Sequence, residues 1–231
     1  MSIAENVAAI RAKMDAAAIA AGRDPRDILL CAATKMNDAG AVRQAIAAGV
    51  DLCGENRVQE LVQKQKENAY EGAPVHFIGH LQTNKVKQVV GKVDVIQSVD
   101  SLRLLKAIDA EAAKQGIIQN ILLEVNVGEE ESKSGFSVCE VLPLLEQISE
   151  FGHIFVCGLM AIPPISQNSG DNLKFFQKIS QLSVDITAKK YDNVLVKCLS
   201  MGMSDDFEDA IACGSTMIRV GTAIFGKRNY A

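Results

Sequence analysis

Eight short apolar runs, each followed by an amphipathic stretch, constrain this chain more than any other feature. They are Ile28 to Thr34, Val50 to Cys53, Val75 to Ile78, Val93 to Gln97, Ile121 to Val127, Ile154 to Leu159, Val194 to Leu199 and Met217 to Val220. Most are continuous rather than alternating in polarity, the pattern of strands buried on both faces, as parallel strands are when helices cover them. Between them fall helical patterns such as Leu102, Leu105, Ile108 and Ala112, or Ser137 and Glu140 capping the run Val141, Leu142, Leu144, Leu145 and Ile148. A strand, loop and helix unit repeated eight times predicts an α/β fold, a single (β/α)8 TIM barrel.

One further helix precedes the first strand. Ser2 and Glu5 have capping-box spacing, and Ile3, Val7, Ile10 and Met14 share one helical face. The 231 residues suit one undivided barrel, so residues 1–231 read as a single domain. The runner-up is an open doubly wound sheet, but the first βα turn, Thr34 to Gly40, lacks the G-x-G-x-x-G phosphate loop, and no Walker loop occurs. The stretch Pro163 to Gly170 reads as a surface loop.

Composition narrows the function. Lys and Arg number 24 against 28 Asp and Glu, a net charge of −4, which leaves no basic footprint for a nucleic acid. The 6 cysteines lie far apart with no C-x-x-C pair, the pattern of free thiols in a reducing compartment. No apolar stretch approaches the ~18 residues of a membrane span. Glu5, Arg11, Lys13 and Asp15 interrupt the N-terminus before any secretion-signal pattern. A cytoplasmic protein without membrane partners is expected, and 3 scattered histidines give no metal-ligand spacing.

Barrels gather their chemistry at the C-terminal ends of the strands. There the chain offers Lys35, Asn56, His80, Ser200, Arg219, Gly221 and Thr222. A lysine at the edge of an apolar interior either snorkels to solvent or is desolvated into a nucleophilic amine suited to Schiff-base chemistry. Gly221 to Gly226 is short enough for one helical turn, whose free N–H groups attract an anion; Ser200 and Gly202 would add donors from the neighbouring strand end. The competing reading is ordinary turn glycine. Arg219 can only donate, so in the mouth of a barrel it must meet an acceptor. Asp205 with Glu208 reads as a helix N-cap pair, Asn56 with Gln59 as a capping box or a site residue, and Glu129 to Glu131 as a solvated charge run. His76 reads as packed within its strand; among the histidines only His80 is placed to touch a ligand.

Several stretches then resemble a known family: Thr34-Lys35, Cys53 to Glu60, His76 to Lys85, Glu124 to Asn126 with Lys133 to Gly135, Gly158 to Pro163, Leu199 to Asp206 and Gly214 to Gly226. Together they are similar to the pyridoxal phosphate homeostasis proteins, over nearly the whole chain. The resemblance implies a barrel like the N-terminal domain of alanine racemase, with pyridoxal 5′-phosphate (PLP) held as a covalent aldimine on Lys35. It further implies Arg219 at the pyridine nitrogen, Ser200, Gly221 and Thr222 at the phosphate, and Asn56 beside the cofactor. The sequence departs from the family pattern at Met36-Asn37-Asp38 and at Cys53.

A fixed cation at the ring nitrogen disfavours its protonation and weakens the electron sink that PLP enzymes exploit. A racemase also needs an acid/base on the opposite ring face, a tyrosine from a separate domain in alanine racemase. Here Tyr70, Tyr191 and Tyr230 fall on or after helices and none at a strand end. The expectation is a monomeric PLP carrier that passes its cofactor to PLP-dependent apo-enzymes and has no catalytic residues of its own. The alternatives are a PLP-dependent racemase or related PLP enzyme, and a cofactor-free lysine aldolase.

Overall fold

The eight runs become eight parallel strands: β1 Leu29–Ala33, β2 Leu52–Glu55, β3 Val75–Phe77, β4 Val95–Val99, β5 Gln119–Val125, β6 Ile154–Ala161, β7 Val194–Ser200 and β8 Met217–Val220. They close in sequence order, β8 returning to pair with β1, into the expected barrel. The computed structural model describes residues 1–130, 133–164, 168 and 170–226. Glu131, Tyr230 and residues 165–167 and 169 of the anticipated surface loop lie outside the described residues.

The helices are α1 Ile3–Ala20, α2 Ala39–Ala47, α3 Val58–Lys66, α4 Leu102–Gln115, α5 Val138–Glu146, α6 Leu173–Ala188, α7 Phe207–Ala212 and α8 Thr222–Phe225. A 3₁₀ segment, Thr83–Gln88, replaces the α-helix between β3 and β4. Both capping boxes form, Ser2 with Glu5 and Ser137 with Glu140. Leu102 departs from its assigned face and stays exposed, because the cap is Ser101, whose hydroxyl accepts from the Leu104 N–H and starts the helix so that Leu104 and Leu105 turn inward. No described helix is long and apolar enough to cross a membrane.

The extra helix has a positioning role. Val7, Ile10, Met14 and Ala18 pack with Phe207, Ile211 and Ile224 of α7 and α8, and the Asn6 amide donates to the Ile224 carbonyl at 2.8 Å. So α1 clamps α8 at the rim of the barrel.

Most of the core lies between the strands and the outer helices. Inside the barrel the apolar cluster shrinks to Cys31, Leu52 and Met217; His76, Gln97, Ser200 and Arg219 are also buried there. Four strands end later than the apolar pattern suggests: β2 at Glu55, β4 at Val99, β6 at Ala161 and β7 at Ser200. Of the added polar residues, Glu55 is buried against Lys64 of α3 and Ser98 against the Gly79 carbonyl.

Candidate functional site

A cavity of about 730 Å³ opens at the C-terminal ends of the strands, with Lys35, Asn56, Arg219, Gly221 and Thr222 in its wall. Each is set in place by a separate local cause.

Lys35 follows β1 in a loop that the backbone alone would not choose. Met36 has a φ of 63°, a left-handed conformation that costs a non-glycine residue about 1–2 kcal/mol. A buried ion pair offsets that strain. Lys64 Nζ donates to Glu55 Oε2 at 2.6 Å and to the Thr34 carbonyl at 2.7 Å, and the Met36 N–H donates to Glu60 Oε2 at 2.7 Å. Thr34 Oγ1 and the Tyr70 hydroxyl also donate to Glu55 Oε2, at 3.0 and 3.2 Å. The residues flanking Lys35 are therefore fixed from below by α3.

Asn56 follows β2, its N–H donating to Glu55 Oε1 at 2.8 Å. Its backbone presses on Gly79, where any Cβ would overlap the Asn56 carbonyl oxygen. Asn56 Oδ1 is buried with no hydrogen-bond partner among the described residues. An orphaned acceptor in a cavity wall costs stability unless a ligand donates to it.

Arg219, in β8, is only 5% exposed. Nη1 donates to the Ser200 carbonyl at 2.6 Å and to Ser200 Oγ at 2.7 Å, and Nη2 to the Ala161 carbonyl at 3.0 Å. Of its five N–H donors, five minus these three leaves two for a ligand. Burial works against the charge, partly offset by Cys31 and Glu124 nearby. Glu124, in β5, is pushed up to about 7 by its own burial first and then by Asp100, with Arg219 and His80 pulling the other way.

Gly221 opens α8, the single turn anticipated after the last strand. The Ile224 and Phe225 N–H groups donate to the Gly221 carbonyl, while Gly221, Thr222 and Ala223 at the start of the turn line the cavity.

Two anticipated residues sit elsewhere. Ser200 is fully buried, its hydroxyl accepting from Arg219 and donating to Gln97 Oε1 at 2.6 Å. It points into the barrel and orients Arg219 rather than lining the cavity, where Ser204 takes a place instead. His80 is exposed and pairs through Nδ1 with Asp100 Oδ2 at 3.1 Å, outside the cavity wall. The two proposed caps also differ. Helix α3 begins after Arg57 with no side-chain cap, and α7 after Asp206 rather than Asp205, because Asp206 instead accepts from the Met203 N–H and from the Asn172 amide. Neither Tyr70 nor Tyr191 lines the cavity. Glu55, Lys64, Gln97 and Glu124 complete the surroundings; strand-end position points to Glu55 beside Asn56, but not to Lys64, Gln97 or Glu124.

A closed parallel barrel of eight strands, with a lysine after its first strand and a short helical turn after its last, is the class of fold that the site is built on. The family described as alanine racemase, N-terminal domain, matches residues 2–229. A pyridoxal phosphate homeostasis protein of Aquifex aeolicus is 40% identical over 230 residues, 100% of both chains. The chain therefore belongs to the pyridoxal phosphate homeostasis protein family. Among solved structures, an unknown protein from Bifidobacterium adolescentis superposes with a TM-score of 0.91 at 37% identity, covering 96% of this chain and 94% of that one. PipY of Synechococcus elongatus PCC7942, solved with PLP bound, gives a TM-score of 0.83 at 32% identity over 97% of this chain and 100% of that one.

Proposed function

We propose that this protein binds PLP at the C-terminal mouth of the barrel, links it covalently to Lys35 Nζ, and serves PLP homeostasis by storing the cofactor and passing it to apo-enzymes. The observation that carries the proposal is that Lys35, the orphaned Asn56 Oδ1 and an Arg219 with two uncommitted donors share one cavity wall.

When bound, PLP supplies an aldehyde for amines and an aromatic ring that withdraws electrons when its nitrogen is protonated. Lys35 provides the amine. Asn56 offers an acceptor for a ring substituent that donates. Arg219 can only donate, so it favours a ring nitrogen that accepts, which is the unprotonated form. Gly221 and Thr222, with the Ser204 hydroxyl, present N–H and O–H donors to a phosphate. These residues hold and orient, and a permanently cationic partner at the ring nitrogen suits holding more than carbanion chemistry.

The test begins with the absorption spectrum. A visible band that borohydride abolishes, leaving a phosphopyridoxyl mass on Lys35 and absent from Lys35→Ala, is the expected result. Transfer of PLP to an apo-enzyme in the presence of a free-PLP scavenger is expected as well. Steady turnover of an amino acid abolished by Lys35→Ala would replace the carrier with a PLP enzyme. Protein that stays colourless after incubation with PLP would end both readings.

A further inference from the structure

A second cavity, of about 630 Å³, opens at the opposite end of the barrel, among the N-terminal ends of the strands. Barrels of this class normally fill that end with layers of apolar side chains. Here Leu29, Val95, Leu122 and Met217 form an apolar wall that is not closed. The gap has a cause in the sheet. β7 and β8 share a single residue pair, Ser200 with Met217, so the lower half of β7 has no β8 partner. Lys197 and Arg23 line the opening, with Asp27 beside Arg23.

His76 also lines this cavity and is 8% exposed. Its proton position follows from a chain of hydrogen bonds that begins at the other end of the barrel. Arg219 Nη1 can only donate, so Ser200 Oγ accepts from it at 2.7 Å. The Ser200 hydrogen must then go to another acceptor, and Gln97 Oε1 lies 2.6 Å away. That fixes the Gln97 amide with Nε2 toward His76 Nδ1, at 2.7 Å, and toward the sulfur of Met217. An amide nitrogen only donates, so Nδ1 accepts and the imidazole carries its hydrogen on Nε2. Burial holds the His76 pKa down to about 4, which keeps the ring neutral. No described residue accepts from Nε2, and with Nδ1 turned to Gln97 it is the Nε2 edge that faces the cavity.

We propose that this lower cavity is a second ligand site for a small carboxylic acid with an apolar body, whose carboxylate accepts from His76 Nε2, and that the Gln97–Ser200 chain reports its occupancy to Arg219. The wall receives the hydrocarbon part. Lys197 and Arg23 favour an anion over a neutral acceptor at the opening. Every link in the chain is buried and donates in the same direction, so stronger hydrogen bonding at His76 polarises the bonds behind it as far as the guanidinium.

The experiment titrates 4-methylpentanoate into PLP-free protein labelled with ¹⁵N at histidine and arginine. The His76 Nε2 and Arg219 guanidinium resonances are expected to shift together and saturate, with a Kd on the order of 1 mM for a ligand of this size. Leu29→Trp, at the rim and away from the chain, is expected to weaken binding at least tenfold while the protein still takes up PLP. Ser200→Ala keeps the carbonyl bond to Arg219 but removes the hydroxyl link; His76 should still respond and Arg219 should not. Absence of a saturable His76 shift, or equal binding by Leu29→Trp, overturns the site. An Arg219 response that survives in Ser200→Ala overturns the coupling, and equal affinity for 4-methylpentanamide overturns the carboxylate assignment. Apart from PLP uptake by Leu29→Trp, which serves as the control for folding, none of these outcomes depends on PLP chemistry at the upper mouth.

Discussion

Lys64→Met probes how the Lys35 loop is held. Lys64 Nζ makes three hydrogen bonds, to Glu55 Oε2 at 2.6 Å, the Thr34 carbonyl at 2.7 Å and Glu60 Oε2 at 3.1 Å, which uses all its donors. The Lys64 and Glu55 side chains are 6% and 0% exposed, so the small value of a surface ion pair does not apply. Removing one partner of a buried pair costs about 3–5 kcal/mol. Glu55 would retain Thr34 Oγ1, the Tyr70 hydroxyl and the N–H groups of Asn56 and Arg57, which places the loss near the lower end, about 3 kcal/mol. At about 2–4 °C per kcal/mol for a chain of this length, Tm should fall by roughly 6–12 °C. Calorimetry and urea unfolding of PLP-free protein measure the loss, and PLP affinity should fall with it because the Thr34 carbonyl loses its donor and Glu60, which holds the Met36 N–H, loses its lysine partner. In the double variant with Glu55→Gln the fully buried charge is gone, and Glu60 keeps Arg57, so its loss should be well below the sum of the two single losses. A Lys64→Met protein within 1 kcal/mol of the parent, or a double variant that loses the full sum, would refute the argument.

Three further outcomes follow from the same geometry. The Glu124 carboxyl titrates near 7 in the folded chain against an ordinary 4.5, so the folded state keeps a proton that the unfolded state releases between those values. Stability should therefore fall as pH rises through that window, by about 3 kcal/mol; subtracting the Glu124→Gln curve isolates the slope, and identical curves would exclude it. Asn56→Ala removes an acceptor that has no partner, so PLP-free stability should change by less than about 1 kcal/mol while PLP affinity falls roughly fivefold to tenfold. A large loss of stability with unchanged affinity would make Asn56 structural. Gly79→Ala forces a Cβ into the Asn56 carbonyl, so a loss of about 3 kcal/mol is expected by thermal unfolding; an unshifted Tm would mean that the Asn56 backbone yields freely.

The strand count was legible because burial on both faces leaves each strand as an uninterrupted apolar run, and β8 was bounded to the residue. Strand ends were legible only where the barrel interior is apolar. Gln97 and Ser98 look like a strand end in sequence, yet each is buried with a partner, and the pairing of Ser200 with Gln97 spans 103 residues. Nothing local signals a contact across the barrel. Residue parity was the unused clue: Cys198 lines the lower cavity, and Ser200, two residues on, shares its inward face. Strand-end position likewise placed Arg219 and Lys35 on the rim, but could not show that His80 turns away to Asp100.

The bonds that hold Arg219 also bear on what the site can do. Its guanidinium joins the carbonyl oxygens of Ala161 at the end of β6 and Ser200 at the end of β7 while its own backbone belongs to β8. The ladder between β7 and β8 has one residue pair, backed by the N–H groups of Thr216, Met201 and Arg219 donating to the carbonyls of Leu199, Met217 and Gly202, and the guanidinium bonds add to that closure. Replacing Arg219 by an acid, the change that would convert the proposed ring-nitrogen partner into the kind a strong electron sink uses, would set a buried anion against two carbonyl oxygens and weaken the same seam. Arg219→Glu is accordingly a poor probe of ring protonation, since it should unfold the barrel before it shifts a spectrum. Arg219→Gln retains a donor for one carbonyl and removes the charge, so a spectral shift in that variant, with PLP still bound, separates the electrostatic role of the cation from its structural one.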